Sequence, residues 1–261
     1  AAGVSRVLYL SSISVLGEPA AGRLADETSS SYGNPHWPVV FQSPGEALEA
    51  LERSLAGDYR FLDASRVAYC DAKLASWELA KVYAKDHGLS LVTVFPGTAV
   101  GAGDLHYAIS ALIDGIWEGK LGLSFDGATS FVTARDFAVG ARLALERGRP
   151  GEAYVIGGRE EHNLSYPDFM ELVGRTARDG GGKGIGRPFV IPRRVALPAA
   201  AVAERFVPGM RLAEALVLSG SMRNVCSSAK AMAELGYEPG ADLAAAVRDC
   251  RRFSEANRKG R

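Results

Sequence analysis

The sequence is poor in sulfur and histidine, has no excess of charge, and contains no long apolar run. Cys70, Cys226 and Cys250 are odd in number, widely spaced and outside any CxxC pattern. That argues against a disulfide scaffold or a zinc ribbon and fits a reducing cytoplasm. His36, His87, His106 and His162 show no metal-ligand spacing, so no metal centre is expected. Thirty Lys and Arg cancel thirty Asp and Glu, leaving no global basic field to attract nucleic acid. The longest apolar stretch, Val195 to Ala203, is nine residues long and contains Pro198, too short to span a bilayer. The N-terminus lacks the basic-then-apolar pattern of a secretion signal.

What is there is the composition of a folded α/β protein. The chain has 261 residues, 47% hydrophobic and 23% charged, enough for one large domain or a main domain with a smaller one attached. Val7-Leu8-Tyr9-Leu10 reads as a buried strand, and Leu89 to Phe95 as a second and stronger one closed by Pro96-Gly97. Further strands are expected near Phe131-Val132, at 153–156 and at 189–191, and helices over 45–57, 69–87, 105–118 and from Asp136, a natural N-cap, to about 147. Strands alternating with helices predict a parallel sheet, and the helix-rich stretch from Tyr166 onward predicts a smaller second domain. Ala1-Ala2-Gly3 reads as a helix end with a glycine stop. A helix end implies a helix before it, so an upstream portion of the domain is expected to be absent from this sequence.

The chemistry concentrates on Tyr69, Lys73 and Ser12. A spacing of four on a helix puts Tyr69 and Lys73 on one face, where an ammonium favours the phenolate. Tyr69 would then exchange a proton with a substrate hydroxyl or carbonyl, with Ser12 holding that oxygen. Nine Tyr and seven Lys give about a quarter of a Tyr-x3-Lys match by chance, so the pair alone is weak. Its context is stronger: a strand ending in Ser11-Ser12, the Tyr–Lys helix, then a buried strand ending in Pro-Gly.

Taken together, Arg6 to Gly17 (RVLYLSSISVLG), the Tyr69/Lys73 pair, Val94 to Gly101 (VFPGTAVG), Phe131 to Ala138 (FVTARDFA), Gly151 to Gly158 (GEAYVIGG) and Ser227 to Tyr237 (SSAKAMAELGY) resemble the extended short-chain dehydrogenase/reductase family. This is also called the NAD-dependent epimerase/dehydratase family, and the nearest branch is the dihydroflavonol-reductase-like one, with its hopanoid-associated sugar-epimerase-like members. The resemblance implies the C-terminal half of a Rossmann-type sheet over residues 1–158 and a smaller, mainly helical substrate domain over 159–261. It implies Ser12, Tyr69 and Lys73 as the catalytic trio. Cofactor contacts, to NAD or NADP, would come from Ser11, Tyr69, Lys73, Pro96, Gly97, Thr98 and Val100. Ser11 has an equally good reading as a strand-end residue bonded to backbone. The glycine-rich phosphate loop that follows the family's first strand has no counterpart before Val7, which implies about a hundred missing residues and poor dinucleotide binding by this chain alone.

Two departures and one decoy complete the reading. The 57-residue gap from Ser12 to Tyr69 looks long for the family, so roughly 32–62 reads as an insertion. Its Pro35, Trp37, Pro38, Phe41 and Pro44 suggest a loop with apolar anchors acting as a lid over the substrate mouth. Ile13-Ser14-Val15 lacks the acidic pair of the sugar 4,6-dehydratases, which disfavours that chemistry. Gly97, Gly101 and Gly103, with Asp126 downstream, imitate a dinucleotide fingerprint, but Pro96 has no N–H to offer there. Cys70, beside Tyr69, reads as a small buried residue, and His106, just past the nicotinamide segment, as a minor candidate for substrate contact. The expected activity is an NAD(P)-dependent oxidoreductase acting on a small-molecule carbonyl or secondary alcohol. The alternatives are a nucleotide-sugar epimerase and a non-catalytic binding protein. A homodimer is compatible with each.

Overall fold

The structure, a computed structural model, describes residues 3–32, 34, 40–58, 68–106, 108–206 and 213–258. Strands β1 (Arg6–Leu10), β2 (Ser90–Pro96) and β6 (Ala153–Ile156) form a parallel sheet in the order β1–β2–β6. The central strand β2 is buried from Leu91 to Phe95, as its unbroken apolar run requires of a strand covered on both faces. Helices α1 (Pro44–Leu55) and α2 (Ala68–Asp86) cover one face, where Leu74 and Ala75 meet Phe95 and Val155. Helix α3 (Ala108–Trp117) follows β3 (Thr98–Val100), and helix α4 (Ala134–Arg147) covers the other face of the first sheet. There Leu143 and Ala144 pack on Val92, Val94 and Ile156.

A second layer is built on β5 (Ala128–Thr133), which pairs in parallel with β3 and β9 (Arg223–Asn224) and antiparallel with β7 (Asn163–Ser165). The short strands β4 (Leu123–Phe125) and β8 (Phe189–Ile191) form a separate parallel pair. Helices α5 (Tyr166–Asp179), α6 (Arg193–Phe206), α7 (Ala213–Ser221), α8 (Ala229–Leu235) and α9 (Leu243–Arg258) complete the chain. Helices α3, α5 and α9 enclose a second core of Ile113, Phe169, Val173 and Val247, locked by Arg251, which reaches the buried Asp114 at 2.6 Å.

The expected fold class is observed: a Rossmann-type parallel sheet with a smaller, helix-rich lobe. The two parts interleave, however. Ala25 N–H donates to the Val225 carbonyl and Ser227 N–H to that of Ala25. Helix α8 packs in the core of the first sheet, and the Tyr237 hydroxyl donates to the Gly157 carbonyl at 2.6 Å.

Three expectations need correction or restriction. Asp136 does not cap α4. Thr133 does, its hydroxyl accepting the Asp136 N–H at 3.0 Å, while the buried Asp136 carboxylate accepts the Ala241 N–H at 3.1 Å. The lid also fails for the described part of the excursion. Phe41, Ala47 and Ala50 are buried against Leu74 and Ala75, on the face of α2 opposite Tyr69 and Lys73. Apolar anchors that bury on a helix make a covering layer, not a mobile flap. Pro35, Trp37 and Pro38, the stretch 59–67 and the Ala1-Ala2 helix end lie outside the described residues.

Candidate active site

Parallel strands in one sheet end on the same side, so the C-terminal ends of β1 and β2 converge on one place. Ser12 follows β1 and opens the short 3₁₀ turn Ile13–Val15; its Oγ accepts the Ser14 N–H at 3.1 Å. Tyr69 lies in the first turn of α2 and is 58% exposed. Ser12, Tyr69, Pro96, Gly97 and Thr98 line a single cleft of about 390 Å³. At its floor Gly97 is required by contact, because a Cβ there would stand 2.6 Å from the Ser130 carbonyl oxygen.

Lys73 sits beside the cleft rather than in its lining. Its Nζ is 6.0 Å from the centre of the Tyr69 ring and donates to the Leu10 carbonyl at 3.3 Å. One turn on, the Tyr9 hydroxyl donates to Ser76 Oγ at 2.9 Å. These contacts fix the Tyr69–Lys73–Ser76 face of α2 against the end of β1, which sets the position of the phenol relative to Ser12.

Other sequence candidates fall elsewhere. Ser11 continues the sheet, its N–H donating to the Val94 carbonyl at 3.0 Å, and its buried hydroxyl has no partner among the described residues. Val100 faces away from the cleft and is fully buried in the second core with Ile113, Phe131 and Val247. Thr98 reaches the cleft edge at the start of β3, whereas Val100, at its far end, has passed beneath the helices that enclose the second core. Gly101 and Gly103 line a neighbouring cleft with Asp104, whose carboxylate accepts the Ser110 N–H. Asp126 accepts the backbone N–H of Arg193 and so holds the start of α6. His106 is exposed and lines neither cleft.

The far wall of the cleft comes from residues that the sequence reading did not single out: Thr129 of β5, Tyr166 of α5, Ser219 of α7, Met222 and Asn224. The Thr98 and Thr129 hydroxyls are hydrogen-bonded at 3.1 Å. Cys70 also reaches the cleft, but burial pushes its thiol up to about 12, against a smaller opposing hydrogen bond from Ser14, so it is neutral. Burial likewise raises the Tyr166 phenol and leaves it a neutral wall residue.

With this geometry in place, the likeness to known proteins is clear. Residues 45–157 match the NAD dependent epimerase/dehydratase family. This is the family that the motifs around Ser12, Tyr69 and Pro96 resemble. The crystal structure of gox2253 is 25% identical, with a TM-score of 0.71, and the match covers 98% of this chain and 68% of that one. PA4631, a nucleoside-diphosphate-sugar epimerase from Pseudomonas aeruginosa, is 22% identical with a TM-score of 0.71 over 97% of this chain and 68% of that one. RMD from Pseudomonas aeruginosa, complexed with NADPH, is 16% identical with a TM-score of 0.58 over 98% and 67%. The chain thus spans about two thirds of the length of these structures. No curated protein matches it. The Gly97 backbone leaves a floor that no side chain could share, as the flat nicotinamide end of the family's cofactor would require.

Proposed function

We propose that this chain carries the acid/base half of an NAD(P)-dependent oxidoreductase site, acting at a carbonyl or secondary alcohol carbon. The observation that carries this reading is the convergence of Ser12 and Tyr69 on one cleft floored by Pro96, Gly97 and Thr98. The Ser12 oxygen already accepts the Ser14 N–H, so its own proton is free to donate to a substrate oxygen. Tyr69 gives its phenolic proton to that oxygen in reduction and takes one back in oxidation. Lys73, pinned to the Leu10 carbonyl, sets a positive charge beside the phenol and would also hold the nicotinamide ribose. Pro96 to Thr98 would line the ring. A bound nicotinamide supplies or accepts the hydride. We assign cofactor binding to residues 1–158 and substrate binding mainly to 159–261, a division supported by Tyr166, Ser219 and Asn224, with Thr129 joining them from the first part.

A second reading is redox-neutral epimerisation of a nucleotide sugar. It is favoured by the polar far wall of Thr129, Ser219 and Asn224, which suits a polyhydroxylated substrate, and by the description of PA4631. Steady-state oxidation of NAD(P)H with a ketone supports the first reading. Interconversion of nucleotide sugars without net cofactor turnover supports the second. Ligand binding with no turnover, unchanged by Tyr69→Phe, would leave only a non-catalytic role. The exposed stripe of Leu79, Val82 and Tyr83 on α2 supports a homodimer, and three buried free cysteines support a reducing, cytoplasmic setting.

A further inference from the structure

Helix α6 is apolar on two sides. Ala196 and Ala200 face inward and pack with Val217, Phe125 and Ile191. On the outer side Val195, Pro198, Ala199, Val202 and Phe206 follow helical spacing and form a continuous exposed stripe. Val195 is 57% exposed, Val202 59% and Phe206 71%. Beside the helix, Phe189 of β8 is paired with Leu123 of β4, and both are largely exposed. They share the strand face of Ile191 and Phe125, so they extend the same apolar surface past the end of the packed cluster.

The charge on this helix is mostly of one sign. It carries three cations, Arg193, Arg194 and Arg205, and one acid, Glu204, in a chain whose charges cancel overall. Glu204 is turned inward, its carboxylate accepting the Glu214 N–H at 2.7 Å. Arg194 and Arg205 flank the stripe, are exposed, and have no ion-pair partner among the described residues. A net charge of zero over the whole chain therefore conceals a local basic, apolar face.

We infer that the outer face of α6 docks on an anionic lipid surface, lying in the plane of the headgroups with Val195, Val202 and Phe206 inserted. A protruding apolar stripe edged by arginines has the form of an interfacial helix, for which amphipathicity and cationic flanks matter more than length. A second copy of the chain is a poorer occupant, because a two-fold contact would bring Arg194 and Arg205 against cations of the same kind. Helix α7, which packs on α6, supplies Ser219 to the cleft, so docking brings the cleft toward the headgroup layer. That consequence rests on the proposed function, whereas the docking itself does not.

The test is sedimentation of the full 261-residue chain with vesicles of phosphatidylcholine alone and with roughly a third phosphatidylglycerol. Binding should be at least about tenfold stronger to the anionic vesicles and should weaken on adding salt. V202D/F206D and R194E/R205E should each lower it about tenfold or more, while L145D, at an exposed apolar position on α4, should leave it unchanged. Circular dichroism melts of each variant confirm that the fold is retained. Absence of vesicle binding, equal binding to neutral vesicles, or loss with L145D as great as with V202D/F206D would overturn the inference. Concentration-dependent dimerisation abolished by V202D/F206D, without vesicle binding, would assign the face to a second copy instead. None of these readouts depends on turnover, so failure here leaves the proposed activity standing.

Discussion

The backbone N–H of Val40 donates to Asp71 Oδ1 at 2.9 Å, two residues along α2 from Tyr69. Through this bond the long excursion after Ser12 is tied to the helix that carries the phenol, but on the side away from the cleft. The Tyr32 hydroxyl donates to Glu78 at 3.0 Å and adds a second tie two turns further on. The excursion therefore acts on the site by bracing α2.

Asp71→Ala should loosen that brace. It removes the acceptor of a partly buried N–H at a position where the carboxylate itself is fully buried. Leaving such a donor unsatisfied costs about 1–3 kcal/mol. Urea unfolding should show that loss, together with faster amide exchange around Val40 than in the unsubstituted chain.

Tyr69→Phe should separate chemistry from folding. The side chain is 58% exposed, and its hydroxyl is not part of the core, so the melting temperature should hold. In the active enzyme kcat should fall by about 10²–10⁴-fold if the phenol is the acid/base group. Retention of more than about a tenth of kcat would remove Tyr69 from that role.

Gly97→Ala should damage both stability and the cleft. The added Cβ would meet the Ser130 carbonyl oxygen at 2.6 Å, and that oxygen belongs to β5, which cannot yield without shifting the second sheet. Overpacking of this kind typically costs about 1–3 kcal/mol. A lower denaturation midpoint accompanied by weaker cofactor binding is expected, whereas Gly122→Ala, with open space at its Cβ, should change neither.

His162 gives the stability a pH dependence of predictable sign. Burial lowers its pKa below the ordinary value of 6.5, which means that the folded state prefers the neutral ring. Its contribution is therefore fully present above pH 6.5 and is lost as pH falls from 6.5 toward the lower folded value, where only the unfolded chain takes up the proton. The half-buried Glu27 carboxyl, raised chiefly by desolvation, works in the opposite sense: its folded state holds the proton more tightly, so stability falls as pH rises from 4.5 toward its raised value. The difference in unfolding free energy between the parent and His162→Gln isolates the histidine, and it should shrink as pH drops below 6.5.

Much of the frame follows from local sequence. The unbroken apolar run of Leu89 to Phe95 can satisfy its backbone and bury its side chains only as a covered parallel strand, and that is what β2 is. The four-residue spacing of Tyr69 and Lys73 fixes a shared helix face wherever the helix is placed. Other features required partners distant in the chain. Val100 lies in the second core because β3, by pairing with β5, runs out of the cleft and under the helices that close that core. Thr133 rather than Asp136 became the cap because Asp136 is needed by the Ala241 N–H, more than a hundred residues away in sequence. Phe41 looked like an anchor of a lid, and nothing local to it specified which face of α2 it would bury against. Asn224 and Ser219 joined Tyr69 in the cleft only because β9 pairs with β5 and α7 packs across its end. Local sequence sets which faces are apolar and which residues share them. Which of those faces meet is decided by burying the most apolar surface with every backbone group paired, and that condition applies only to the whole folded chain.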